Sequence, residues 1–354
     1  MNGIKYMGMD VHKASNVIAV LNGTGKLVTE AIIENKAASI LDFIKSQRGR
    51  LWVTFEEGTY AAWLYDLIKP HVEKLVVCDP RKNKLLLKSG NKGDKIDAKR
   101  LAELLRTESL TEVYHGENST RSLKELAESY TALVSDSTRV KNRIKAIFRG
   151  RGIECDGRAI YRSKGREEWL RELKDEGAQR RAKRLSQELE HLECLCQEAE
   201  AEMVRESRNH RASKILRSIP GVADVRAALI LAFVITPHRF RTKRQFWTYV
   251  GLSVVTRGSA EYEVVNGQVR KSKKATLPRG LNRNYNRVLK HVFKGAAATA
   301  ARGPLKEYFE GLLHRGLSPN LAHVTLARKI SAITLALWKK GESYDKTRLM
   351  QQTT

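Results

Sequence analysis

The chain has 354 residues, 42% of them hydrophobic, which is enough for two or three domains with cores of their own. Its formal net charge of +26 favours a polyanionic partner such as DNA or RNA. Four irregularly spaced cysteines exclude a disulfide framework. Because no apolar run is long enough to span a membrane and no signal sequence is recognisable, we expect a soluble, cytoplasmic protein without a membrane partner.

Residues 1–118 predict an α/β domain. Three consecutive strands are followed by alternating helices and strands, which is a ribonuclease H-like arrangement with the first strand in the centre of the sheet. The predicted strands are 5–12, 16–22, 26–33, 51–55 and 74–78, and the predicted helices begin near residues 37, 61 and 94.

Two carboxylates open the last of these helices. Asp94 and Asp97 are three residues apart, so both project from the same face of the first turn. An acidic first turn is also favoured by the helix dipole alone. Carboxylates held side by side repel each other unless a cation lies between them, and their hard oxygen atoms suit Mg²⁺.

Acidic residues also end two of the predicted strands. Asp10 closes the first strand and Glu56 the fourth, so both are expected to reach Asp94 and Asp97. Each alone is compatible with a turn or with a solvated strand end. Glu57 is the alternative to Glu56, because strand alternation puts only one of the two on a given face. Four carboxylates around one pocket would hold Mg²⁺ on a scissile phosphate.

Residues 119–211 predict a helical coiled-coil arm. Apolar residues recur at alternating spacings of three and four from Leu123 to Ile147 and again from Leu185 to Met203. The two helices can fold back on each other or pair with a second subunit, and we expect the arm to dimerise. A basic band from Arg139 to Arg151 could follow a phosphate backbone or be a solvated helix face.

Residues 212–354 predict a mostly α-helical domain with one β-hairpin. The hairpin runs from Glu261 to Lys273, with a type I′ turn at Asn266-Gly267. Ser259 precedes it and by itself is most simply an ordinary loop serine, because no histidine is adjacent to activate it. We predict nucleic-acid binding by the neighbouring cations, which are Arg257, Arg270, Lys271, Lys273 and Lys274.

Seven motifs follow one another along the chain. They are Gly8-Met-Asp10-Val-His-Lys13, Phe55-Glu56, Lys92-Gly-Asp94-Lys-Ile-Asp97-Ala98, Ile219-Pro-Gly-Val222, Phe240, Tyr249-Val-Gly-Leu252 and Ser259. In combination, they resemble the IS110 family of insertion-sequence transposases, which carry a DEDD signature. The resemblance covers residues from about 5 to about 340.

The resemblance implies a RuvC-like first domain in which Asp10, Glu56, Asp94 and Asp97 are catalytic and hold Mg²⁺. It also implies that Ser259 attacks DNA and forms a covalent 5′-phosphoserine link. The partners would be element-end and target DNA and a structured noncoding guide RNA, the so-called bridge RNA. The assembly would be a homodimer, or a tetramer when two DNA sites are paired, in a bacterial or archaeal nucleoid.

Two other functions compete with this interpretation. One is a RuvC-like, Mg²⁺-dependent endonuclease that cuts branched DNA with water as the nucleophile, in which case Ser259 is structural. The other is a non-catalytic nucleic-acid-binding protein. A covalent protein–DNA intermediate separates the first from a recombinase, and loss of cleavage in Asp94→Asn separates the second.

Overall fold

The computed structural model describes residues 3–86, 93–115, 120–155, 157, 159–162, 165–257, 262–265, 268–271 and 277–345. The chain divides into two compact units, Met1–Gly116 and Glu117–Thr354. Each unit is built around hydrophobic clusters of its own. The predicted partition of the second unit into an arm (119–211) and a C-terminal domain (212–354) stays a prediction.

The first unit contains a mixed five-stranded sheet in the order β3-β2-β1-β4-β5, so the first strand is central as predicted. Strand β1 pairs antiparallel with β2 and parallel with β4, while β2–β3 is antiparallel and β4–β5 parallel. This arrangement fits the predicted ribonuclease H-like domain. The strands are β1 (Lys5–Val11), β2 (Ser15–Leu21), β3 (Leu27–Glu34), β4 (Leu51–Glu56) and β5 (Lys74–Cys78).

Helices cover both faces of this sheet. On one face, buried side chains of α1 and α2 pack against Met7, Met9 and Phe55. On the other face, Ala98 of α4 packs against Val17 and Ala19 of β2. The helices of this unit are α1 (Ala37–Ser46), α2 (Ala61–Ile68), α3 (Pro80–Leu86) and α4 (Asp94–Arg106).

The second unit begins with a pair of long helices, α5 (Arg121–Arg149) and α7 (Glu176–Arg208), which pack against each other within one chain. The short helix α6 (Arg166–Glu172) and the residues around it pack where α5 ends and α7 begins, and they form a small hydrophobic core with these two helices. At the other end, Leu123 and Met203 share a core with the C-terminal helices. The predicted apolar seams therefore pair within the chain, while the coiled coil and its dimerisation stay predictions.

The predicted basic band on α5 is partly neutralised by acids of the arm. Arg143 pairs with Glu188 at 2.9 Å and Lys141 pairs with Glu193 at 2.8 Å. Arg139 pairs with Asp136 one turn away. These pairs favour a solvated helix face over a phosphate-binding band.

The apolar helix α9 (Asp224–Val234), whose side chains are buried from Ala227 to Ala232, packs against α5, α7, α8 (Arg211–Arg217) and α11 (Arg287–Ala300). Helix α10 (Lys243–Tyr249) begins with a capping box between Thr242 and Gln245. The helices are α8 (Arg211–Arg217), α9 (Asp224–Val234), α10 (Lys243–Tyr249), α11 (Arg287–Ala300), α12 (Lys306–His314) and α13 (Pro319–Lys340). Within the described residues, no helix is both long and apolar enough to cross a membrane.

Two short strand pairs lie between α10 and α11. The predicted hairpin is confirmed in its described part, where β7 (Tyr262–Val265) pairs with β8 (Gln268–Lys271), and its turn residues lie outside the described residues. A second ribbon, β6 (Val254–Arg257) with β9 (Leu277–Leu281), was not predicted. The hairpin is therefore carried between the two strands of this ribbon.

Candidate metal centre

Strand register brings the predicted acids to one face of the sheet. Alternation along β1 puts Gly8 and Asp10 on the face opposite to Met9. Parallel pairing aligns Gly8 with Thr54 and Met9 with Phe55, so Glu56 follows Thr54 on the same face as Asp10. Both carboxylates therefore stand on the face that α4 covers, next to the ends of β1 and β4.

Close packing at Gly8 sets the position of α4. A Cβ atom at residue 8 would lie 2.2 Å from the carbonyl oxygen of Ala98 and 2.5 Å from the backbone nitrogen of Ala102. Only glycine therefore lets the helix approach β1 this closely. The helix begins at Asp94, so its first turn, with Asp94 and Asp97, is delivered toward the end of β1.

Asp10, His12 and Asp94 form the tightest part of the centre. The Nε2 atom of His12 lies 3.4 Å from an oxygen of Asp10 and 3.4 Å from an oxygen of Asp94. The ligand atoms of the three residues all lie within 4.8 Å of one another. Carboxylate oxygens and an imidazole nitrogen at this spacing can share one cation.

The loop that carries His12 is fixed by the two asparagines around β2 and β3. Asn35 donates to the carbonyl oxygen of His12 at 2.9 Å and accepts from the buried Asn16 at 3.1 Å. The backbone nitrogen of His12 also donates to the carbonyl oxygen of Ser15. His12 is thus held in the short loop that follows β1, the strand that carries Asp10.

The structure separates the two adjacent glutamates. Glu56 accepts a hydrogen bond of 3.1 Å from the side chain of Asn83, which is 1% exposed. Glu57 pairs instead with His115, at 2.7 Å, and the ring of His115 stacks on Tyr65. Glu56 stands on the face of Asp10 and Glu57 has a partner elsewhere, so the geometry favours Glu56 as the ligand.

Burial and the charges of the other three acids both act on Asp10. Its side chain is 27% exposed, and burial raises its pKa above the usual range. The charges of Asp94, Asp97 and Glu56 raise the pKa further, whereas His12 lowers it. Such mutual repulsion would be relieved by a bound cation, and an oxygen-rich donor set fits a hard divalent ion. The residues therefore fit the metal that the sequence predicts.

The predicted residues of the second unit are only partly visible. Ser259, Lys273 and Lys274 lie outside the described residues. Arg257 is the last residue of β6 and Lys271 the last of β8, with only their backbones described. Arg270 is exposed on β8 and donates to Gln268 at 3.3 Å.

Sequence reasoning missed two residues of the centre. His12 follows Asp10 by two residues in the same motif, and this spacing is the signal that could have marked it. Asn83 gave no signal, because it lies 27 residues from Glu56 in a short basic helix. Its position depends on the turn at Asp79, whose carbonyl oxygen accepts from the backbone nitrogen of Asn83.

Comparison with known proteins places this centre in a family. The model of a DEDD transposase of IS110 elements matches residues 7–151, and the model described as the IS116/IS110/IS902 transposase family matches residues 213–310. The chain belongs to the IS110 family of transposases. The first match contains Asp10, Glu56, Asp94 and Asp97, and the second contains Ser259.

A curated relative agrees with this family. "Putative transposase y4pF/y4sB" of Sinorhizobium fredii (strain NBRC 101917 / NGR234) is 29% identical to the IS110-family chain over 168 residues. The aligned part is 48% of this chain and 42% of the relative, so the chain spans less than half of that protein's length.

Proposed function

We propose that this chain is an active DNA transposase whose first unit holds Mg²⁺ with Asp10, Glu56, Asp94 and Asp97. The observation that carries the proposal is the convergence of these carboxylates on Asp10, whose pKa is raised by burial and then by the charges of the other three. The acids also follow the Asp-Glu-Asp-Asp order of the family name. When bound, the divalent ion would stabilise the negative charge that develops on the scissile phosphate.

The chain's own groups prepare the site for this chemistry. Asn83 restrains one oxygen of Glu56, and Gly8 lets α4 bring Asp94 and Asp97 to Asp10. Four carboxylates without a cation would repel the phosphate, so DNA cleavage should depend strictly on a divalent metal. Placed at strand ends and on a helix, these ligands are held more rigidly than loop residues would be.

Ser259 is proposed as the nucleophile. Its Oγ atom would attack phosphorus and lose its proton, while the bond from phosphorus to the 3′ oxygen breaks and that oxygen leaves as a hydroxyl after taking up a proton. The step exchanges a phosphodiester bond of DNA for the 5′-phosphoserine link. A 3′ hydroxyl of a second DNA strand can therefore attack this link, form a DNA phosphodiester again and release the serine. Support comes from the family match over residues 213–310.

The proposed partners follow from charge and family. A net charge of +26 suits a protein that holds element-end DNA, target DNA and a structured noncoding guide RNA together. A homodimer, and a tetramer on two paired DNA sites, would supply the active sites that strand exchange on two duplexes requires. Excision and insertion of an insertion sequence is the reaction that such an assembly would perform.

A covalent-trapping experiment tests the proposal. The protein is expressed together with the DNA that flanks its gene, incubated with labelled element-end DNA and Mg²⁺, and run on a denaturing gel. We expect a slow, protease-sensitive band that disappears in Ser259→Ala and in Asp94→Asn. The matched controls Ser253→Ala and Asp42→Asn should retain the band.

The other outcomes separate the competing functions. Cleaved DNA without a covalent band, and unchanged in Ser259→Ala, would identify a nuclease that uses water. Cleavage that persists in Asp94→Asn would overturn the metal site. A band that requires co-expressed RNA would support guidance, whereas full activity after ribonuclease treatment would contradict it.

A further inference from the structure

The second unit carries a row of cations along the exposed side of helix α11. Arg287, Lys290 and Lys294 recur at spacings of three and four, so they lie on one face. The opposite face is apolar and buried, with Leu289 and the residues that follow it packed into the core of the unit. We call Arg287, Lys290 and Lys294 the α11 stripe.

The chain around the stripe contains no acidic residue. From Val264 to Lys306 there is no Asp or Glu, while eleven Lys and Arg occur. Some exposed cations on other helices of the same unit do have an acidic partner, as Lys124 has in Glu128 and Arg180 in Glu176. Within the described part of the chain, no carboxylate lies within ion-pair distance of the stripe. No carboxylate among the described residues therefore cancels the positive charge of the stripe.

The stripe also works against the stability of its own helix. Arg287 and Lys290 lie in the first turn of α11, where the helix dipole disfavours positive charge. Helix α13, in contrast, has Lys339 and Lys340 in its last turn, where the dipole favours them. Cations at the unfavourable end of a helix, with no acidic partner among the residues that the structure describes, indicate an anionic partner outside the chain.

The stripe is held rigidly. The ammonium of Lys290 lies 4.2 Å from the ring centroid of Tyr285. The ring of Tyr285 in turn rests on Gly251, where a Cβ atom would lie 2.5 Å from the ring. Asn286 caps the helix through Leu289, and its backbone nitrogen donates to the carbonyl oxygen of Tyr249 at 2.9 Å. A partner would therefore meet a preformed surface.

Hydrogen bonds of Asn282 join the start of α11 to the ribbon of β6 and β9. Asn282 donates from its side chain to the carbonyl oxygen of Thr248 and from its backbone to that of Ser253. The next residue along, Val254, pairs with Leu281 at the base of the ribbon. The turn before α11 is thus fixed to the strand that leads, two residues after Arg257, to Ser259 in the sequence.

We infer that the α11 stripe is a docking surface for the phosphate backbone of the duplex DNA on which Ser259 is proposed to act. The inference rests on the proposed function for the choice of DNA, because the stripe is built onto the base of the strand leading to that serine. Three phosphates contacted by Arg287, Lys290 and Lys294 would fix the register of the duplex without reading its sequence.

The test measures the salt dependence of DNA binding in EDTA, so that neither the metal site nor cleavage contributes. Binding of a fluorescein-labelled duplex is followed by anisotropy in the full-length protein and in the triple variant Arg287→Gln, Lys290→Gln, Lys294→Gln. The slope of log K against log salt should become shallower by about 2 to 3, since each lost phosphate contact removes about 0.9.

A matched triple variant controls for the loss of three charges. Lys124→Gln, Arg180→Gln and Lys306→Gln remove exposed cations of the same unit that already have acidic partners. This control should leave the slope near that of the unchanged protein. Glutamine is a good helix former, and the stripe variant removes charges that oppose the helix dipole, so its melting temperature should not fall.

Each other result would overturn the inference. Equal slopes in the two triple variants would show that only overall charge matters. An unchanged slope in the stripe variant would show that the stripe contacts no phosphate of DNA. If the stripe variant made the slope shallower on an RNA duplex but left it unchanged on DNA, the surface would be assigned to RNA. Failure of the proposed strand chemistry would appear as missing cleavage or covalent band, and would leave these slopes unaltered.

Discussion

Gly8→Ala should push α4, with its proposed metal ligands Asp94 and Asp97, away from β1, which carries Asp10. The new methyl group would lie 2.2 Å from the Ala98 carbonyl oxygen and 2.5 Å from the Ala102 backbone nitrogen, and neither backbone atom can rotate away. Helix α4 would have to retreat by about 1 Å to restore ordinary contact. Such overpacking costs about 2 kcal/mol in free energy of unfolding. The same retreat would move Asp94 away from Asp10 and weaken metal binding.

Labelling of Cys78 measures this effect within the first unit. The thiol is buried, and burial raises its pKa to about 11, so it reacts with thiol reagents only when the unit opens. A loss of about 2 kcal/mol would speed labelling about 30-fold. Gly23→Ala is the control, because a Cβ atom there meets nothing within 4 Å. Equal labelling rates and equal Mn²⁺ affinities in the two variants would show that α4 does not depend on the close packing at Gly8.

Three further changes test separate contacts. Asn83→Ala should weaken Mn²⁺ binding about 10- to 100-fold in a calorimetric titration, because Glu56 loses the side chain that holds it; unchanged affinity would contradict this. Asp10→Asn should raise the melting temperature of the metal-free protein at pH 7, because the raised pKa means that ionised Asp10 destabilises the fold. This gain in melting temperature should shrink as the pH falls through the raised pKa, because the wild-type carboxyl then also becomes neutral. A gain that grows at low pH would show that ionised Asp10 does not destabilise the fold. Gly221→Ala should destabilise the second unit by about 1 to 3 kcal/mol in urea, since φ is +78° and the added Cβ would lie 2.2 Å from the Ala296 carbonyl oxygen. An unchanged midpoint would show that this corner can yield.

Much of the first unit follows from local patterns. Alternating apolar residues predict the five strands to within one residue at most ends, and the order of strands and helices predicts β1 in the centre. The convergence of Asp10 and Glu56 follows as well, because side-chain alternation and strand order are both readable. The choice between Glu56 and Glu57 required the register between β1 and β4.

Features that depend on distant contacts could not be predicted. Asn83 reaches Glu56 only through the turn after β5, and the role of Gly8 is visible only when α4 lies across β1. The pairing of β6 with β9 joins segments about 20 residues apart, with the predicted hairpin between them. The close packing of Gly221 against the backbone of Ala296 likewise joins two segments that are far apart in the sequence.

Anomalous scattering from crystals of the full chain soaked in Mn²⁺ would test most directly whether the four acids of the first unit hold a divalent metal. We expect an anomalous peak in contact with Asp10 and Asp94 and within coordination distance of Glu56 or Asp97. The peak should disappear in Asp94→Asn and persist in Asp42→Asn. A peak bound elsewhere, or a peak that survives Asp94→Asn, would contradict this expectation.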